Sequence, residues 1–245
     1  MKLNYLFLMV TIFTEQCCIE SFKFWQKSSA TEADIGPDGL TYQQRRRALN
    51  SHNRWRNGLK WRDRNRESFS GYPVGMNKLE WSEQLALTAK HVASACKKDH
   101  LSDRGTLFAQ LEEEMGEIGE NLAFASGFQG KTRHVGRLVL EWYREIKQYS
   151  WRQHTCNPSW ACRHLTQILW ADTKYIGCAQ EKCVNTWKKR GRTRTWTNFV
   201  CHYNIAGNWW GETPFETIHT YDPQRMCPEE GTRLDDVYEN LCVEI

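Results

Sequence analysis

The stretch Arg163-His164-Leu165-Thr166-Gln167-Ile168-Leu169-Trp170-Ala171-Asp172-Thr173 decides how the chain is read. Leu165, Ile168, Leu169 and Trp170 form a short apolar run that must be largely buried, and its length predicts a core strand rather than a helix. His164, at the mouth of the run, then sits on a rigid element and can face a cleft of defined geometry if other polar groups converge on it. A lone histidine there is more often a hydrogen-bonded core residue than a ligand, so its partners carry the case. Three candidates elsewhere in the chain are His100, Glu120 and Glu145.

The chain has 245 residues, enough for one substantial domain with a complete core. Its formal net charge of +4 is mild and does not call for nucleic acid. Twelve tryptophans suggest a dense core or an aromatic-lined groove. A basic start followed by the apolar run Tyr5–Phe13 predicts a secretory signal peptide over residues 1–21, the run being too short to span a bilayer. No later segment is long and apolar enough to cross, so a secreted, extracellular, soluble protein is expected. In that compartment Cys96, Cys156, Cys162, Cys178, Cys183, Cys201, Cys227 and Cys242 read as disulfide partners, with about 105 possible connectivities for eight. No pair of close CxxC knuckles supports a zinc finger.

Residues 22–39 read as an irregular N-terminal segment ending in the turn Gly36-Pro37-Asp38-Gly39. A helix is expected from Thr41 to about Leu59, with Arg45, Arg46, Arg47, Arg54, Lys60, Arg62, Arg64 and Arg66 making this part basic. The bland reading is a solvated face; the sharper one is a patch for an anionic glycan or lipid head groups. Leu85, Ala89, Val92 and Cys96 set the apolar stripe of a second helix over Ser82–Lys98, with His100 directly after it. Leu107–Met115 reads as a mobile acidic segment, Gly119–Leu122 as the start of a short apolar helix, and Gly127–Lys131 as a loop. A third helix is expected over His134–Tyr149; on its wheel Glu145 borders the buried stripe while Glu141 points outward. Tyr175–Ala179 and Thr195–Tyr203 then form an antiparallel hairpin across the basic turn Lys188–Arg192. Residues 211–245 read as an irregular, cysteine-tied extension. Helices first and strands later predict the α+β class.

Several of these stretches together resemble the CAP superfamily: cysteine-rich secretory proteins, insect antigen 5 and plant pathogenesis-related proteins (SCP/TAPS). His52-Asn53-Arg54-Trp55-Arg56 resembles HNxxR, Gly119-Glu120-Asn121-Leu122 GEN[ILV], and Trp142-Tyr143-Arg144-Glu145 WYxE. Arg163–Trp170 resembles GHYTQxVW, and Cys201–Asn208, with Tyr203, Gly207 and Asn208, resembles CxYxPxGN. The chain also resembles the helminth venom-allergen-like branch of that superfamily. The resemblance implies a three-layer α-β-α sandwich with a central antiparallel sheet over residues 40–210. It also implies a cleft lined by His100, Glu120, Glu145 and His164, with structural roles for His52, Asn53, Arg56, Asn121, Gln167 and Trp170. By the same resemblance Cys178 pairs with Cys201, and Cys96 with Cys162. Arg163 stands where the family has glycine, Leu165 where it has an aromatic and Ile205 where it has proline, which bears on the shape of the cleft.

Two imidazoles beside two carboxylates suit zinc or another divalent cation, so His100 and His164 are candidate metal ligands. The competing reading is a polar network that satisfies itself and fixes the cleft walls. There is no HExxH helix and no nucleophile elbow, and the cysteines look committed to disulfides. The leading expectation is therefore a non-enzymatic, secreted binder of lipid, sterol or an extracellular protein partner, with Leu122–Ala125, Phe128 and the tryptophans available to line a groove. The alternatives are a metal-dependent hydrolase or protease using the same cleft, and a glycosaminoglycan-binding protein. No consensus N-glycosylation site is present, since Asn157-Pro158-Ser159 carries proline at the forbidden position.

Overall fold

The first helix starts where two side chains close its end reciprocally. Thr41 Oγ1 accepts from the Gln44 N–H, and Gln44 Oε1 accepts from the Thr41 N–H at 2.8 Å. In a computed structural model, which describes residues 35–59, 66–103, 105–126, 132–187 and 192–245, this helix is α1, Tyr42–Asn57. The expected signal peptide, the loop Gly127–Lys131 and nearly all of the turn Lys188–Arg192 lie outside the described residues. Residues 36–245 form one compact unit. After α1 come β1 (Tyr72–Val74), β2 (Glu80–Trp81), α2 (Glu83–Ser94), α3 (Thr106–Met115) and β3 (Ile118–Ser126). They are followed by α4 (Thr132–Tyr143) with a 3-10 turn (Arg144–Gln148), β4 (Tyr149–Ser150), β5 (Thr155–Cys156) and α5 (Arg163–Ile168). The long pair β6 (Tyr175–Trp187) and β7 (Arg192–Asn204) leads into β8 (Glu216–Ile218), α6 (Pro223–Met226), β9 (Thr232–Leu234) and β10 (Cys242–Glu244).

The central sheet has the order β2-β6-β7-β3. β6, β7 and β3 are antiparallel, as expected; the short edge strand β2 pairs parallel to β6, so the sheet is mixed. Period-2 alternation sends Ile176, Cys178, Phe199, Cys201 and Tyr203 to one face, against Ala48 of α1, Val135, Leu138, Val139 and Trp142 of α4, and Leu165 of α5. The other face carries Ala179, Val200 and Leu122 against Ala89, Val92 and Ala93 of α2. Helices on both faces give the three-layer α+β sandwich. α2 lies unusually close to β6 because Gly177 has no side chain: a Cβ there would come within 2.1 Å of Ala86 N.

Four elements differ from the sequence expectation. Arg163–Ile168 is a helix, not a strand, and Leu165, Thr166, Gln167 and Ile168 are all buried. A run buried on every side carries no periodicity that separates helix from strand. Gly119–Leu122 lies in strand β3, where Leu122 pairs with Val200. Leu107–Met115 belongs to α3, fixed by burial of Phe108 and Leu111 against Leu85 and Ile118. The third helix loosens to a 3-10 turn after Tyr143, and Tyr149 enters β4.

The disulfides also correct one pairing. Cys178–Cys201 forms as expected, between residues directly opposite on β6 and β7. Cys96 bonds Cys183 and not Cys162, which instead closes a short loop with Cys156. Lying just past α2, Cys96 reaches the sheet strand that α2 covers, whereas Cys162 immediately precedes α5, which packs with the helices of the opposite layer. Cys227–Cys242 ties the C-terminal segment. That segment is more ordered than an irregular cap: β8 pairs with β1, β9 with β10, and Cys242 N donates to Met76 O at 2.8 Å.

Candidate functional site

The backbone around the candidate cleft is held by a buried cation. Arg56 is fully buried, and its Nε and Nη2 donate to Asn77 O at 2.9 and 2.6 Å. Its Nη1 donates to Ile168 O and Trp170 O at 2.8 and 2.7 Å, and Nη2 also reaches Ala171 O at 3.1 Å. Burial pulls its pKa down to about 9, against the pull of Asp172 and Tyr203 in the other direction. The guanidinium thus acts as a hydrogen-bond hub for the residues that follow α5. Asn53 adds a two-way bond with Leu79, at 2.9 Å to its carbonyl and 2.8 Å from its N–H.

A second chain of bonds leads from α1 to His164. His52 Nδ1 meets Ala48 O at 2.8 Å and Nε2 meets Tyr203 Oη at 2.9 Å, while burial lowers the His52 pKa to about 4 and keeps the ring neutral. Asn121 Nδ2 donates to Tyr203 Oη and to His164 O, both at 3.1 Å. Gln167 Oε1 accepts from Gly207 N at 2.8 Å, Asn208 Nδ2 donates to Arg163 O at 3.1 Å, and the Thr166 hydroxyl donates to Asn208 Oδ1. Trp170 is buried beside them. Arg56, Asn121, Gly207 and Asn208 thus bond directly to residues 163–171, the segment that carries His164.

The four cleft residues form two pairs. Glu145 Oε1 lies 2.6 Å from His164 Nδ1, and its Oε2 accepts from the backbone N–H groups of His164 and Leu165 at 3.1 and 3.2 Å. Cys162, at the N-cap position of α5, makes no side-chain cap bond, so Glu145 satisfies these amide donors instead. His164 also stacks on Trp142, with ring centroids 6.0 Å apart at 18°. Glu141 points outward to Arg144, as its wheel position predicted.

Glu120 is the buried partner of the other pair. His100 Nδ1 lies 2.5 Å from its Oε1, and a third histidine, His202, places Nε2 2.8 Å from its Oε2. His202 Nδ1 in turn lies 2.7 Å from Thr88 Oγ1, whose hydroxyl donates to Leu85 O at 2.9 Å. With that hydroxyl committed, both ring nitrogens of His202 face acceptors, the pattern an imidazolium satisfies. Burial alone would raise the Glu120 pKa, but hydrogen bonds from His100 and His202, together with their charge, lower it to about 2. Sequence reasoning passed over His202. The signal was present, because Cys201 and Tyr203 face one side of a strand and the residue between them must face the other, opposite Glu120.

The two pairs differ in accessibility. The His100 side chain is 62% exposed and His164 35%, while Glu120 is 4% exposed. In each pair a carboxylate engages Nδ1, the arrangement that orients Nε2 as a metal ligand. Among the described residues, however, no group of three or more His, Cys, Asp or Glu side chains is placed to hold a metal ion.

A separate groove runs between α1 and α4, with a volume of about 390 Å³. Trp55, Leu140 and Tyr238 supply apolar walls, and Arg47 and Arg54 supply a cationic rim. Arg47 crosses α4 over Gly136, where a Cβ would come within 2.6 Å of its Nε. This groove does not use Leu122–Ala125, and Phe128 lies outside the described residues.

With this geometry in place, the profile of the family described as CAP, cysteine-rich secretory protein family, matches residues 49–203. Human peptidase inhibitor 15 is 32% identical over 180 residues, which cover 69% of this chain and 62% of that protein. Human cysteine-rich secretory protein LCCL domain-containing 1 is 31% identical over 186 residues, 70% of this chain and 33% of that protein. The chain spans roughly three fifths of the length of the peptidase inhibitor 15 relatives it matches, 56% for Danio rerio and 62% for human. Among solved structures, Schistosoma mansoni venom allergen-like protein 4 matches with a TM-score of 0.52 and 26% identity, over 73% of this chain and 97% of that one. BmVAL-1 matches with a TM-score of 0.64 and 23% identity, over 86% of this chain and all of that one, a likeness of fold.

Proposed function

The chain belongs to the cysteine-rich secretory protein (CAP) family, and from that premise we propose that it is a secreted, non-enzymatic carrier of a lipid with an acidic head group, held between α1 and α4. The observation that carries this reading is the pairing of apolar walls with a two-arginine rim in one groove. The tail of a fatty acid would lie on Trp55 and Leu140, and Arg47 and Arg54 would take its carboxylate. Secretion is supported by the eight cysteines paired in disulfides. Among the described residues no helix is long and apolar enough to cross a membrane. A non-enzymatic role is supported because, among the described residues, every cysteine is held in a disulfide and Glu120 is held between two histidines.

The test is saturable binding of radiolabelled palmitate to the secreted, delipidated protein, with cholesterol as a neutral comparison. Palmitate is expected to bind and Gly136→Leu to weaken it about tenfold, which corresponds to roughly 1.4 kcal/mol. A Cβ at position 136 meets Arg47 Nε at 2.6 Å, so the substitution displaces the Arg47 side chain, and urea unfolding of the variant separates lost binding from lost fold. Binding no greater than that of a denatured control overturns the lipid reading. Cholesterol binding that survives Arg47→Gln with Arg54→Gln would replace the acidic lipid with a sterol.

The pairing of His100 and of the half-buried His164 with a carboxylate each favours a second reading, a divalent cation on these two histidines. When bound, such an ion supplies Lewis-acid character; the chain's own part is to hold both rings by Nδ1. Zinc titration of the wild type against His164→Ala by calorimetry tests this, and equal heats from the two proteins would exclude it. The anionic-glycan reading loses Arg45, which is committed to Asp38 and Glu83, and Lys60, Arg62 and Arg64 lie outside the described residues.

A further inference from the structure

A second cavity, of about 490 Å³, is lined by none of the paired carboxylates and by no residue of the groove between α1 and α4. Three separated segments build it: the approach to β1, the turn after β4, and β8 with the residue beyond it. The β8 side comes from beyond residue 203, where the family match ends. The cavity is thus made by this chain's own C-terminal segment docking on β1.

Its apolar side is Phe69 and Trp151, whose rings lie 5.1 Å apart at 56° and are backed by Phe215 and Tyr149. Two faces of a rigid aromatic cluster suit a planar ring better than a flexible chain. The polar side is Arg152, His154 and His219, opposed by the single carboxylate of Glu67. Tyr149 Oη meets His154 Nδ1 at 2.9 Å, which sets that ring and leaves Nε2 as its second polar atom. Thr217, on β8, completes the lining.

We propose that this cavity binds a small planar anion, an aromatic carboxylate, with its ring against Phe69 and Trp151 and its charge on Arg152. The volume lies within the range of small-molecule sites. This site does not depend on the lipid reading, since the two cavities have no lining residue in common.

Calorimetric titration with indole-3-carboxylate tests it, with indole-3-carboxamide as the uncharged twin. The acid is expected to bind saturably and the amide about tenfold or more weakly, the difference a charge-assisted hydrogen bond gives. Arg152→Gln, at an exposed position, is expected to reduce acid binding toward that of the amide. Ser70→Trp, also at an exposed position, is expected to fill the cavity and abolish binding of both. Absence of saturable heat from the folded wild type overturns the proposal, and so does equal binding of acid and amide. Binding that survives both substitutions places the ligand elsewhere and overturns it as well.

Discussion

Glu120 and Glu145 each hold one histidine of the candidate cleft, but they are kept in place by different physics. Glu120 lies on a sheet strand, 4% exposed, with an imidazole on each oxygen. Glu145 lies on a 3-10 turn, 22% exposed, and divides its oxygens between one imidazole and two backbone N–H groups of α5. The first is a buried charge that survives because its partners are buried or positioned with it. The second is a helix-end cap reached from another element, with water nearby. A change at Glu120 therefore disturbs the core, whereas a change at Glu145 disturbs the local order of α5.

The largest effect should follow Glu120→Gln. The amide keeps the shape but leaves the fully buried His202 without its carboxylate, and breaking such a pair costs about 3–5 kcal/mol. Urea unfolding should show this, and a loss below about 1 kcal/mol would mean His202 is satisfied without the charge. Acid should reveal the same pair more gradually. The folded carboxyl titrates at about 2 against an ordinary value of 4.5, so its contribution is complete above the ordinary value and is lost as pH falls through the folded one. The shift corresponds to roughly 3 kcal/mol. Wild-type stability should fall between those two pH values, and the fall should flatten in Glu120→Gln. Parallel pH profiles for the two proteins would refute the assignment.

The contrast also shows what the sequence could and could not disclose. The five motifs and the β6–β7 hairpin were legible because they rest on residue type and on simple periodicity, whereas the four cleft residues came from the resemblance and their division into two pairs came from the fold. The reciprocal cap at Thr41 and Gln44 was equally visible in the letters, as threonine followed three positions later by glutamine. The run Leu165–Trp170 misled, since a stretch buried all round has no polar face to set its period. Gly119–Leu122 misled for a related reason: Glu120 looks like a polar helix position until His202 is seen opposite it. The partner of Cys96 depends on α2 lying along β6, a fact of tertiary packing that no cysteine spacing encodes.

A middle-sized effect belongs to Glu145→Ala. It removes one imidazole partner and the acceptor for two amides at the start of α5, a loss comparable with deleting an N-cap, about 1–2 kcal/mol. Hydrogen exchange should localise the change, with faster exchange at His164 and Leu165 and unchanged protection along β3. If β3 exchanged faster as well, the two pairs would form one cooperative unit and the contrast between them would fail.

The smallest effect is expected from His100→Ala. His100 bonds the same carboxylate whose loss is most costly, so a strictly pairwise view predicts a large penalty. Exposure argues otherwise. With 62% of its side chain in water, His100 exchanges a screened contact for solvation, and such pairs are worth about 0–1 kcal/mol. Glu120 keeps His202 after the substitution, and so stays paired inside the core. Glu120→Gln and the double variant His100→Ala/Glu120→Gln should then unfold at nearly the same urea concentration. A double variant clearly less stable than Glu120→Gln would show that His100 supports the fold independently, and that its place at the surface is structural rather than a position open to a ligand.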